Sequence, residues 1–215
     1  MRRWIAATAI FLALAMAGGR APAQEVVDRI VAKVESDIIL MSDIRQLARY
    51  QLFLDGKSQS DAEILDRLID QWIVRSEASV ARFPQPSDED VNRSIERLKR
   101  AFATPQEYEA RKAQSGLTDE EIRQFLKSQL YLSNYLDSRF RPVIQIDEKS
   151  IEEFYKTRVV PRAESRGQTP PELDTARDFI QEALVQRAIN EQADRWLKES
   201  RTRVRIEILL NKKVQ

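Results

Sequence analysis

Segments with strong strand character lie at the two ends of this 215-residue chain. Near the start, residues 26–34 are rich in β-branched residues, and the polar turn 35–37 separates them from a second short strand at residues 38–40. Near the other end, residues 204–210 alternate apolar and charged side chains, as a half-buried strand does. A lone strand cannot satisfy its own backbone groups. We therefore predict that residues 204–210 pair with the N-terminal hairpin and close one domain.

Helix-start signals recur at short intervals between these two ends. Each predicted helix follows a side chain that can accept a hydrogen bond from the first free backbone amides of a helix. The predicted starting residues are Ser42, Ser60, Ser87, Thr104, Thr118 and Asp147. A last long helix is predicted from Glu172 to about Ser200. The predicted fold class is therefore mostly α, with a small β-sheet formed by the N-terminal hairpin and the C-terminal strand.

A linker is predicted at residues 157–171, which hold three prolines, one glycine and few apolar side chains. It separates two parts of one domain. Residues 24–156 form the hairpin and a helical module, and residues 172–215 form a helix and a strand that pack back on that module.

Residues 1–23 have the pattern of a secretory signal peptide. Arg2 and Arg3 form a basic head, an apolar stretch follows, and small residues precede a predicted cleavage between Ala23 and Gln24. The apolar stretch of about 14 residues is shorter than the about 20 that a membrane span needs. We therefore predict a periplasmic protein without stable membrane insertion after cleavage. An uncleaved N-terminal anchor is the alternative.

The composition excludes several kinds of functional site. The chain contains no histidine and no cysteine, so Ser-His-Asp and Cys-His nucleophiles and metal sites built on those ligands are excluded. With 35 basic and 34 acidic residues it lacks the basic excess that nucleic-acid binding requires. We predict no catalytic residue, no metal site, no cofactor and no nucleic-acid partner. An enzyme that uses carboxylates is the remaining alternative, although the acidic clusters at 88–90 and 119–121 suit helix starts.

Aromatic residues outside the apolar helical stripes are the candidate binding residues. Tyr131 and Tyr135 lie one turn apart and outside the apolar arc of the helix that follows Thr118. Other aromatic residues flank the short helix after Thr104 or lie near the break at Gly56. The six candidate client-binding residues are Tyr50, Phe53, Phe102, Tyr108, Tyr131 and Tyr135. They either line a surface groove for unfolded polypeptide or are buried by a neighbouring helix.

Several short segments, taken together, carry a resemblance to a known family. These are residues 26–34, the Ile-Ile-Leu-Met-Ser-Asp-Ile run at 38–44, residues 65–70, 87–91 and 116–118, the extended piece 143–147, and the final helix and strand at 196–209. In this order they resemble the N-terminal module of the SurA-type periplasmic chaperones, which are related to the parvulin-type foldases. The resemblance implies a hairpin-plus-helices fold that the C-terminal helix and strand complete.

One departure from the family pattern matters for activity. In the family, parvulin isomerase domains usually lie between the helical module and the C-terminal helix, where this chain has only residues 157–171. Parvulin sites also typically carry histidines, which this chain lacks. We therefore expect no isomerase activity.

The resemblance implies an ATP-independent holdase whose clients are unfolded envelope proteins, in particular outer-membrane protein precursors. The alternative is a structural or adaptor protein that binds one specific envelope partner, or itself, through the same surface.

Overall fold

The computed structural model describes residues 28–211, so the predicted signal peptide and its cleavage between Ala23 and Gln24 lie outside the described part. The elements in chain order are β1 (Ile30–Val34), β2 (Asp37–Leu40), α1 (Met41–Asp55), α2 (Asp61–Val80), α3 (Asp88–Ala101), α4 (Pro105–Ser115), α5 (Asp119–Phe140), α6 (Glu148–Phe154), α7 (Val160–Glu164), α8 (Leu173–Arg203) and β3 (Ile206–Ile208). A 3-10 turn, Arg141–Val143, follows α5, and a π-helical turn, Tyr155–Val159, joins α6 to α7. The predicted fold class, mostly α with a small sheet, is confirmed.

The sheet is antiparallel, has the strand order β2-β1-β3, and joins the two ends of the domain. Ala32 of β1 lies opposite Ile208 of β3. At one side of this pairing the Leu209 amide donates to the Val31 carbonyl at 2.8 Å, and at the other the Glu35 amide donates to the Arg205 carbonyl at 2.9 Å. The predicted pairing of the C-terminal strand with the N-terminal hairpin is therefore confirmed.

Helix starts follow the predicted capping residues at five of six positions. Ser60, Ser87, Thr104, Thr118 and Asp147 each accept a hydrogen bond from the amide three residues on. The sixth position differs, because Ser42 lies inside α1 and the helix begins at Met41. The Asp43 carboxylate accepts a hydrogen bond from the Leu40 amide at 2.8 Å, which lets the helix start directly after β2.

The main core lies between the sheet and helices α1, α2, α4 and α5. Its fully buried side chains include Phe53, Ile64, Ile69 and Ile122. Helix α8 returns across α2 and α5 before entering β3. Arg201 fixes that crossing, since its guanidinium donates to the Asp70 carboxylate at 2.7 Å and to the Asp66 carbonyl at 2.7 Å. The long C-terminal helix is thus part of the same packed body as the N-terminal module.

The first half of the segment 157–171, predicted as a linker, is helical in the structure. The helix begun at Glu148 continues through the π-helical turn and α7 to Glu164, so that non-helical chain is confined to residues 165–172. Pro161 lies inside this helical run, directly after the π-helical turn, and cannot donate a backbone hydrogen bond there. Residues 148–184 therefore form an antiparallel helical pair, here named the C-terminal hairpin, around the buried side chains of Ile151, Ala176 and Ile180.

Candidate functional site

Four of the predicted binding residues form one aromatic cluster inside the main core. Phe53 and Phe102 have ring centroids 5.3 Å apart, and Tyr108 meets both rings edge-on at 5.4 Å. Tyr50 lies 6.3 Å from Phe53 and is also buried, whereas Phe102 is half-buried. Burial raises the pKa of Tyr50 to about 12 and raises the pKa of Tyr108 as well. These rings hold α1 and α4 together and do not form an exposed aromatic patch.

Tyr131 and Tyr135 are also covered. Only 6% of Tyr131 and 4% of Tyr135 is exposed. The ring of Phe83 lies 6.0 Å from Tyr131 and 5.6 Å from Tyr135, and Arg139 donates to the Tyr135 hydroxyl at 3.1 Å. Trp196 and Leu197 of α8 pack against the same cluster. The exposed-ring interpretation of these tyrosines does not hold, because α8 covers a second face of α5. The interpretation in which a neighbouring helix buries them is the one observed.

An open groove lies nearby, bounded by α1, α2 and α5. Its larger part measures about 710 Å³ and its smaller part about 320 Å³, and the two parts share Leu47, Gln71, Phe125 and Ser128. Apolar side chains form the floor: Leu47, Tyr50, Leu54, Leu68, Phe125, Leu132 and Leu136. Amide and hydroxyl side chains form much of the rim: Gln46, Gln51, Gln59, Gln71, Gln124, Gln129, Ser58, Ser128 and Ser133. Three acidic and three basic side chains also line the groove: Asp43, Asp55, Glu121, Lys57, Arg67 and Arg75. We call this feature the glutamine-rimmed groove.

The walls of the groove are held by specific contacts between its helices. Tyr50 of α1 stacks on Phe125 of α5 with centroids 4.4 Å apart and rings 15° from parallel. Arg75 of α2 donates to the Ser128 hydroxyl of α5 at 2.8 Å. Since both contacts cross between helices, the width of the groove is set in the folded protein.

Glu121, which lines the groove near the start of α5, takes part in an ion pair. Arg49 pairs with Glu121 at 2.7 Å and donates to the Gly116 carbonyl at 3.0 Å. The pKa of Glu121 lies below its usual value, first because the Thr118 amide donates to the carboxylate and then because Arg49 donates to it. The carboxylate therefore stays ionised at neutral pH, and the ion pair persists.

The rim offers hydrogen-bond donors and acceptors with little net charge. A primary amide both donates and accepts, so a glutamine can meet either a backbone N–H or a backbone carbonyl. Gln51 and Gln59 illustrate this, because Gln51 donates to the Gln59 side-chain carbonyl and accepts from the Gln59 amide, both at 2.9 Å. A groove with this floor and rim can hold apolar side chains below and extended backbone above.

Sequence reasoning found one of the lining residues and missed the rest. Tyr50, among the six predicted residues, lines the groove. Phe125, Leu132 and Leu136 belong to the apolar arc of the helix that follows Thr118, and a helical wheel does not distinguish a covered apolar face from one that floors a groove. The available signal was the run of uncharged polar residues beside that face, such as Gln129, where a solvent boundary usually carries charges.

Comparison with known proteins gives one distant similarity. No known family model matches the chain. Within residues 28–211, no helix combines the length and the apolar character that crossing a membrane requires. The chain is 24% identical over 139 residues to the chaperone SurA of Pseudomonas fluorescens (strain Pf0-1), a match that covers 60% of this chain and 32% of that protein. The matched region thus spans about a third of the length of SurA, and the identity supports a distant, SurA-like relationship.

Proposed function

We propose that this protein is an ATP-independent periplasmic holdase that captures unfolded envelope polypeptides in the glutamine-rimmed groove. The observation that carries the proposal is the combination of an open apolar floor and an amide-rich rim whose three acidic and three basic side chains leave no net charge. Burial of apolar client side chains on the floor supplies binding free energy of about 25 cal/mol per Å². Because the acidic and basic side chains of the rim are equal in number, the groove has no net charge that would favour acidic over basic clients.

The amide rim suits a client that has no secondary structure of its own. An unfolded segment presents backbone N–H and carbonyl groups, and burying them without partners is unfavourable. The side chains of Gln71 and Gln129 can donate to or accept from such groups in several rotamers. Capture is therefore reversible and needs no nucleotide, and release follows from mass action or from transfer to a tighter acceptor.

Outer-membrane β-barrel precursors are the client class that we propose. Their strands alternate apolar and polar side chains with a period of two residues. An extended segment of this kind directs its apolar side chains toward the floor of the groove and its polar ones toward the rim. The distant similarity to a protein named as a chaperone supports the same role. We also propose that the protein lacks prolyl isomerase activity.

The test uses two exposed glutamines on opposite walls of the groove. Changing Gln46→Glu with Gln129→Glu places charges beside the apolar floor while keeping residues of similar helix propensity. The concentration needed to half-suppress aggregation of an unfolded β-barrel precursor should rise about fivefold, which corresponds to about 1 kcal/mol. Light scattering during dilution of the client from urea measures this concentration.

A matched variant separates the groove from general charge effects. Gln114→Glu with Gln181→Glu makes the same chemical change at two exposed positions outside the groove, and it should behave like the parent. Equal suppression by the groove variant and the parent would contradict the groove as the binding site. A parent protein that protects none of several unrelated unfolded clients would contradict the holdase function and favour the adaptor alternative.

A further inference from the structure

The C-terminal hairpin carries a second cleft, of about 390 Å³. It lies between the segment that runs from α6 through α7 and the facing turns of α8. Phe154, Val159, Phe179 and Ala183 form its apolar surface. Among residues 28–211, it has no lining residue in common with the glutamine-rimmed groove. The cleft is therefore a separate feature that the proposed holdase function does not use.

Phe179 is unusually exposed for an aromatic residue beside a small core. It is 72% exposed, whereas the next residue, Ile180, is fully buried in the hairpin core. Phe154 and Val159 next to it are half-buried. The folded hairpin thus leaves a contiguous apolar surface open to solvent, at a position where the ring contributes little to the stability of the domain.

Three arginines surround this apolar surface. Arg158, Arg162 and Arg166 are exposed and four residues apart, and all three line the cleft. Within the described part of the chain, none of their guanidinium groups makes an ion pair or hydrogen bond. Arg177 of the same hairpin behaves differently, because it pairs with both Glu148 and Asp174. The guanidinium groups at the cleft are free to bind an external anion.

We infer that this cleft binds a short acidic peptide segment in which an apolar side chain is flanked by carboxylates. The apolar side chain of the peptide occupies the space beside Phe179. The guanidinium groups of the cleft donate bidentate hydrogen bonds to the carboxylates of the peptide. Charge complementarity selects this class of partner, since three unpaired arginines border one small apolar cleft.

A peptide fits the cleft better than an anionic membrane does. Clusters that bind anionic lipid typically hold about 4–8 basic residues on a projecting surface. Here three arginines border a concave site, and Glu164 lies between two of them in the sequence. The inference does not depend on the holdase proposal, because the two sites have separate lining residues.

The experiment measures binding of fluorescent peptides by anisotropy at low and high salt, with full-length mature protein. The probe contains Glu-Asp-Phe-Asp-Glu in a Gly/Ser frame, and the comparison peptides carry Gln-Asn-Phe-Asn-Gln or Glu-Asp-Ala-Asp-Glu. The acidic Phe peptide should bind, and each comparison peptide should bind about tenfold more weakly. Salt should weaken binding of the acidic Phe peptide.

Variants assign the binding to the cleft. Binding should fall by about tenfold in Phe179→Ser and in the triple change Arg158→Gln, Arg162→Gln and Arg166→Gln. The matched controls are Val80→Ser, at a residue that is 82% exposed outside the cleft, and the triple change Arg29→Gln, Arg45→Gln and Arg195→Gln at exposed arginines elsewhere. Both controls should bind the acidic Phe peptide as the parent does.

Three results would overturn the inference. The first is equal affinity for the acidic and neutral Phe peptides, and the second is unchanged binding in both cleft variants. The third is arginine-dependent binding to vesicles of phosphatidylglycerol and phosphatidylcholine without peptide binding, which would assign the cleft to a membrane. The groove variant Gln46→Glu with Gln129→Glu should bind the acidic Phe peptide normally, so failure of the holdase proposal would leave this result unaffected.

Discussion

Replacing Tyr131 and Tyr135 by serine should unfold the domain, because both rings lie in its core. Neither residue lines the glutamine-rimmed groove, so the change does not act on that surface directly. The two rings are 6% and 4% exposed, so nearly the whole of each aromatic surface is removed from water. A buried aromatic side chain buries about 150–250 Å², and truncating one costs about 3–5 kcal/mol. Tyr135 also loses its hydrogen bond from Arg139.

The two losses should not add fully, because both tyrosines pack on Phe83. We expect the double variant to lose about 6 kcal/mol, which is comparable with the whole stability of about 5–15 kcal/mol of a typical domain. Urea denaturation followed by circular dichroism should show a strongly lowered midpoint or no folded baseline. Tyr135→Phe is the matched control and should lose about 1 kcal/mol, the value of one hydrogen bond. A double variant with the midpoint of the parent would refute the assignment of these rings to the core.

Three further predictions concern the sheet, a surface ion-pair network and catalysis. Deleting residues 201–215 removes β3 and the contacts of Arg201 with α2. Calorimetry should then show a Tm at least about 5 °C lower, since each kcal/mol lost lowers the Tm of a chain of this size by about 2–4 °C. An unchanged Tm would contradict the closure of the domain by its ends. Arg141 donates to both Glu182 and Asp137, which lowers the pKa of Glu182 to about 2 and lowers that of Asp137. A carboxyl group whose pKa is lowered in the folded state stabilises that state above the unfolded pKa, and this stabilisation is lost as the pH falls. The Tm of the parent should therefore drop more steeply than that of Arg141→Gln between about pH 4.5 and pH 2. Parallel plots of Tm against pH for the two proteins would contradict the network. In a proline-limited refolding assay, where the uncatalysed barrier is about 18–20 kcal/mol, pure protein should give no concentration-dependent acceleration.

The closure of the sheet was predictable because it follows from unsatisfied backbone groups. The segment around Leu209 needed a partner strand, and the hairpin at Val31 was the available one. The helix starts were predictable for a similar reason, since the Thr118 hydroxyl and the Glu121 carboxylate satisfy amides within three residues of each other. The helix starts depend on local capping hydrogen bonds, and the sheet closure depends on backbone groups that need hydrogen-bond partners.

The candidate site was less predictable because it depends on packing between distant segments. The burial of Tyr131 requires α8, which returns about 60 residues later in the chain. A helical wheel drawn for α5 alone gives no information about the packing of α8. The glutamines of the groove are far apart in sequence and meet when α1, α2 and α5 assemble. Helix formation at residues 157–164 was not predicted because the prolines of residues 157–171 indicated a linker, whereas the helical run continues through Pro161 after a π-helical turn.

The pairing of β1 with β3 has a consequence for the order of events in folding. It joins Glu35 to Arg205, which are 170 positions apart, so β1 gains its second partner strand only after that length of chain has been made. A chain produced from its N-terminus therefore keeps one edge of β1 unpaired until β3, about 170 residues later, has been made. Such long-range pairing raises the contact order and slows folding of an otherwise helical domain. Premature termination would leave an exposed strand edge, which marks incomplete chains for aggregation or proteolysis.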